Sequence, residues 1–76
     1  MPKLPRLTGA EMVRFLEGHG FVVVRVRGSH HVMANGDLRT VVPVHGSQDL
    51  RTGTLRAILR DVEMIPAHFS ELRGRR

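Results

Sequence analysis

Residues 25–40, RVRGSHHVMANGDLRT, place two adjacent histidines beside a Gly-Ser pair, with Arg25, Arg27 and Arg39 close by in the chain. A neutral imidazole is the side chain best suited to exchange a proton near neutral pH. A guanidinium forks onto phosphate oxygens. Together these groups could act on a phosphodiester, either taking the proton from a ribose 2′-OH or handing one to the leaving 5′-oxygen. The arginines would stabilise charge building on a phosphorane-like transition state. That chemistry needs no metal. The plainer reading is that both histidines are ordinary strand residues and the arginines solvate a surface.

Other chemistries are poorly supplied. There is no cysteine among the 76 residues, hence no disulfide framework, thiolate nucleophile or thiolate metal site. The histidines lack HxH or HxxxH spacing, so no metal site is expected. No GxxxxGK[ST] loop, dinucleotide fingerprint or paired-carboxylate signal is present, and no cofactor is expected. Of the remaining histidines, His45 stands at the end of the third expected strand and is a secondary candidate. His19 lies between helix-ending glycines, where a cation suits the dipole, and His68 is expected at the surface.

Charge points toward a partner. Twelve Lys and Arg oppose seven Asp and Glu, a formal net charge of +5, and eleven of the twelve cations are arginine. Phosphate polyanions are the default partner of such a chain. Nothing in "MPKLPRL" or beyond has the length of a signal peptide or membrane span, which leads one to expect a soluble cytoplasmic protein without membrane contact. Seventy-six residues suit one domain, 1–76, with a thin core.

The elements that must position the histidines can be read in order. "PKLPRL" should be extended. Thr8 and Glu11 form a capping box, and Met12, Phe15 and Leu16 give one apolar helical face, predicting a helix over 9–18 closed by Gly18 and Gly20. Strands are expected at 21–27, 30–34 and 38–45, joined by Gly28-Ser29 and Asn35-Gly36 turns. Pro43 implies an edge strand or the end of pairing. A second helix over 53–61, N-capped by Thr52, carries Leu55, Ile58, Leu59 and Val62 on one stripe, with Arg56 and Arg60 off it. "IPAHFSEL" could add a helical turn, and "RGRR" is a frayed tail. The order is α-β-β-β-α, an α+β fold with a three-stranded antiparallel sheet and both helices on one face.

Register assigns faces. With two-residue loops at Gly28-Ser29 and Asn35-Gly36, His30 pairs with Arg27 and Val41, and His31 with Val26 and Thr40. Met33 pairs with Val24 and Leu38, and Val32 with Arg25 and Arg39. One face then holds Val22, Val24, Val26, His31, Met33, Leu38, Thr40, Val42 and Val44, and the helices should dock there. The other holds Arg25, Arg27, His30, Val32 and Arg39 and is open. His30 is therefore the candidate catalyst. His31 is expected to be structural, its ring bonded near Thr40 or a helix backbone, although a bulge at the first turn would exchange the two.

"LTGAEMVRFLEGHGF", "VRVRGSHHVM" and "TVVPVHGSQDLRTGTLRAILRDV" together resemble the HicA (YcfA-like) family of toxin endoribonucleases, from Lys3 to Phe69. The most telling pieces are Gly28-Ser29-His30 with Met33, and Pro43-x-His45 followed by Gly53-Thr54-Leu55-Arg56-x-Ile58-Leu59. Residues 62–69, "VEMIPAHF", depart from the more usual Gly-Leu-Ser-x-Glu-Glu-Phe-like ending, which is peripheral to the chemistry. The resemblance implies a fold similar to a double-stranded RNA-binding domain, metal-independent mRNA cleavage by a histidine at position 30, and inhibition by a HicB-type antitoxin from the same operon. Lys3, Arg25, Arg27, Ser29, Arg39 and Arg56 are the expected RNA contacts, with His31 and His45 secondary. Two other readings share the fold: a module that binds structured RNA without cutting it, and a degenerate toxin that mainly forms a complex with its antitoxin.

Overall fold

A computed structural model of the chain describes residues 6–64. Five elements follow in order: α1 (Gly9–Glu17), β1 (Val22–Arg27), β2 (His30–Asn35), β3 (Leu38–Pro43) and α2 (Thr52–Asp61). The strands form one antiparallel sheet in the order β1-β2-β3. The expected α-β-β-β-α order is the observed one. The expected extra turn at 65–72, the tail beyond it, His68 and Lys3 lie outside the described residues.

The first helix starts as its sequence requires. The Thr8 side chain accepts from the Glu11 amide at 3.2 Å, and the Thr8 amide donates to Glu11 Oε1 at 3.0 Å. These reciprocal bonds satisfy two backbone donors at the end of the chain segment entering the helix. Met12 and Leu16 then point into the core, and Phe15 packs at its margin. At the other end Gly18 is the C-cap, and His19 Nδ1 lies 2.9 Å from the Phe15 carbonyl oxygen.

Helix α2 begins one residue earlier than expected. Its N-cap is Arg51, without a side-chain capping bond, and Thr52 is already helical. The Thr52 cap is therefore a correction: the loop reaches the helix by a backbone in extended conformation at Arg51. The apolar stripe is as read, with Leu55, Ile58, Leu59 and Val62 all buried. They meet Met12, Leu16, Met33 and Val42 in one cluster, so both helices cover the same face of the sheet.

Both hairpin turns use glycine first. Gly28 and Gly36 have φ of +59° and +60°, whereas Ser29 and Asp37 do not enter the left-handed region. That is the backbone of a type II′ turn, whose twist matches the strands it joins. The second turn thus centres on Gly36-Asp37, not on Asn35-Gly36, and Asn35 pairs with Leu38. All β2–β3 partners are consequently displaced by two residues from expectation: His30 faces Pro43, His31 faces Val42, Val32 faces Val41, and Met33 faces Thr40. Because side chains alternate with period two, an even displacement changes partners and leaves every side chain on its expected face.

In β1 the faces do change. Arg27, Val26 and Arg25 pair with His30, His31 and Val32 as read, but Met33 pairs with Val23, the register shifting between Val23 and Arg25. Val24 is the extra residue of a β-bulge, and the strand before it is turned over. Phe21 is buried at 3% exposure and Val23 packs against the core, whereas Val22 is turned out. The expected core trio Val22, Val24 and Val26 is instead exposed. β3 ends at Pro43, two residues short of the expected limit, and the Val44 amide donates to the Ser29 carbonyl at 2.7 Å.

Candidate nucleic-acid interface

On the open face, directly paired residues share a side. Its rows are Arg27–His30–Pro43, then Arg25–Val32–Val41, then Val22–Ala34–Arg39. No acidic residue stands in any of them. His30 is exposed, directly across from Arg27 and diagonal to Arg25. Diagonal neighbours on one face lie within reach of a long side chain, about 7–8 Å between backbones. Arg39 is farther away. The two-residue displacement puts it opposite Ala34, and Val41 occupies the place next to His30's row that Arg39 was expected to hold.

The same displacement draws the β3 end toward His30. Pro43 is opposite His30, so His45 lies two positions past that partner instead of four. His45 is exposed and, with Pro43, Gln48, Asp49, Leu50, Arg51 and Thr54, lines a cleft of about 320 Å³. The His45 carbonyl accepts from the Gln48 amide at 3.0 Å, which closes a tight turn beside the cleft. Arg51 in this cleft escaped the sequence reading. The expected cap at Thr52 assigned its predecessor to a loop, and the run Arg51-Thr52-Gly53-Thr54 was the available signal.

A wider groove of about 560 Å³ follows β3, lined by Val32, Arg39, Thr40 and Val41 and by Gly53, Thr54, Ala57, Ile58 and Asp61 of α2. Arg39 belongs to this groove. Arg56 is exposed on α2, which packs on the opposite face from His30, and the structure does not bring the two together. Ser29 is half-buried in the turn, its carbonyl held by Val44.

His31 faces the helix side, in one row with Val26 and the fully buried Val42. Its ring does not bond Thr40 or a helix backbone as expected. Thr40 Oγ1 donates to Asp61 Oδ2 at 3.0 Å, and His31 Nδ1 is buried with no hydrogen-bond partner among the described residues. The register explains this: Thr40 is paired with Met33, two residues along from His31. The bulge falls inside β1 and not at the Gly28-Ser29 turn, so the two histidines keep their expected faces.

The chain is a two-helix, three-stranded α+β domain that presents a histidine and arginines on its free sheet face. Residues 9–64 match the family described as HicA toxin of bacterial toxin–antitoxin, and the chain belongs to that family. The match runs from the first residue of α1 to just past α2, so it includes the entire sheet and both helices. Comparison with curated proteins returns no match. Among the described residues no helix is long and apolar enough to cross a membrane.

Proposed function

We propose that this toxin is a metal-independent endoribonuclease that cleaves mRNA with His30 as its acid–base group, and that a HicB-type antitoxin neutralises it. The observation that carries the reading is the row Arg27–His30–Pro43: an exposed imidazole beside a guanidinium, on a face whose described rows hold no carboxylate. Arg27 and Arg25 hold the phosphate, and the neutral imidazole takes the proton of the adjacent ribose 2′-OH. The 2′-oxygen attacks phosphorus and the bond to the 5′-oxygen breaks, leaving a 2′,3′-cyclic phosphate and a 5′-hydroxyl. Negative charge gathers on the phosphoryl oxygens in between, where the guanidinium groups stabilise it. Because His30 is exposed, the departing 5′-oxygen takes a proton from water and the imidazolium returns its own proton to solvent, which restores the base. Beyond Pro43 the chain leads to the cleft of His45 and Arg51, which offers a contact for the next part of the RNA backbone. Arg39 and Arg56 are more distant phosphate contacts, Lys3 is a further RNA contact, and the reaction takes place in the cytoplasm.

The competing reading, an RNA-binding module that does not cut, draws on Arg51 at the start of α2, a helix end that can meet phosphate. One comparison separates the two. His30→Ala should slow cleavage of a single-stranded RNA by about a hundredfold or more, the usual contribution of a positioned acid–base group. RNA affinity and thermal unfolding should stay near the parent values, because an exposed ring leaves no cavity when removed. A folded His30→Ala chain that cleaves at the parental rate would end the assignment. A parent that binds RNA and never cuts it would favour the binding module.

A further inference from the structure

β1 is the element that the fold leaves least covered. The helices pack chiefly against β3, at the far side of the sheet, and no described strand pairs along the outer edge of β1. Val22, Val24 and Val26 are 58%, 49% and 56% exposed. They do not form one patch on one face. Val22 shares the open-face row of Ala34, Val26 shares the helix-side row of His31 and Val42, and Val24 is the bulged residue between them. Apolar surface thus shows on both sides of one unpaired edge.

RNA binding gives these valines nothing to do, because phosphate is held by cations and hydrogen-bond donors. A polypeptide laid along the edge would use them. An added strand satisfies the free backbone groups of an edge, and its alternate side chains reach both faces. On the open face it would run beside Arg25 and Arg27, two residues apart and so on the same side. Carboxylates at that two-residue spacing would meet them, and the intervening apolar residues would cover Val24 and Val26. The net charge of +5 favours an acidic partner at longer range as well. A second copy of the chain would bring the same positive charge to the same edge.

We propose that the β1 edge is a docking surface for the antitoxin, which adds an extended segment of alternating apolar and acidic residues as a fourth strand. This rests on the toxin–antitoxin reading above and gives its partner a place on the fold. The probe is the protein encoded by the reading frame adjoining the gene, purified separately and titrated against the parent chain and a Val24→Lys/Val26→Lys double variant. Two desolvated valines should be worth about tenfold or more in affinity, and the double variant should lose at least that. Cleavage of RNA by the unbound double variant should equal that of the parent, since neither valine is assigned to the RNA surface. Amide hydrogen exchange of the parent should slow along β1 when the partner is added, a readout that does not depend on the variant's folding.

Unchanged partner affinity in a folded double variant, or no slowing along β1, would overturn the docking surface while leaving the antitoxin reading intact. A parental dimer that the two lysines dissociate without weakening the partner would assign the edge to a second copy. A loss of RNA cleavage with partner binding retained would assign it to RNA. If the parent does not bind the adjoining product, both the antitoxin reading and this proposal fall.

Discussion

His30 and His31 show how far one position decides a side chain's work. Adjacent in sequence and identical in chemistry, they lie on opposite faces of β2, one exposed beside Arg27 and the other turned toward the core. His31 carries a cost there, because its buried Nδ1 has no partner among the described residues. Leaving a buried polar atom unpaired costs about 1–3 kcal/mol, whereas an apolar group of similar shape incurs no such penalty. His31→Leu should therefore leave stability unchanged or raise it by about 1 kcal/mol in denaturant unfolding, with RNA cleavage retained. A large destabilisation would mean that the ring is bonded after all, and loss of cleavage in a folded variant would move the chemistry from His30 to His31. The opposite facing of the pair was legible from sequence because it needed only the alternation of β2. His31's missing bond to Thr40 was not, because it depended on which residue of β3 lies across the ladder.

At the level of elements, closeness between α1 and the end of β3 fixes the residue that lies across from His30. Gly9 opens α1, and a Cβ there would overlap the Pro43 carbonyl oxygen and come within 2.9 Å of Val44 Cα. Both of those atoms are backbone and cannot swing aside. Gly9→Ala must therefore push α1 off β3, at a cost of about 1–3 kcal/mol, the usual range for overpacking. Since Pro43 lies across from His30, the same substitution should lower cleavage more than the stability loss alone explains. Activity measured well below the unfolding midpoint checks this, and full activity there would show that the β3 end does not shape the site. The capping box, glycine turns and apolar stripes were all legible because each is a local signal. The β1 bulge was not. "FVVVRVR" offers apolar side chains at both parities, so the sequence alone did not show that Phe21 and Val23 would win the core from Val22 and Val24. Phe21 buries more surface than a valine, and one extra residue in β1 lets it do so.

The described residues separate their surfaces: helices and core on one side of the sheet, a face whose paired rows hold no carboxylate on the other, and valines along one edge. The division follows from a thin core. With ten buried apolar residues in one cluster and both helices on one side, the other side of the sheet is left to solvent and to partners. Charge on that face should make RNA affinity strongly salt-dependent. Each phosphate neutralised on a single strand contributes about −0.7 to the slope of log affinity against log salt. Arg25 and Arg27 lie in adjacent rows around His30, and Arg39 lies one row beyond Arg25. If all three hold phosphates, replacing them together with glutamine should flatten the slope by about 2. Arg39 alone should contribute its single increment to affinity and little to the cleavage step, because its row is two removed from that of His30. Arg27→Gln should reduce both, since it stands directly across from His30. Binding of a non-cleavable RNA, measured at several salt concentrations for each variant, tests these differences together. Equal effects of Arg27→Gln and Arg39→Gln on cleavage would show that the sheet register does not order the site as these rows do.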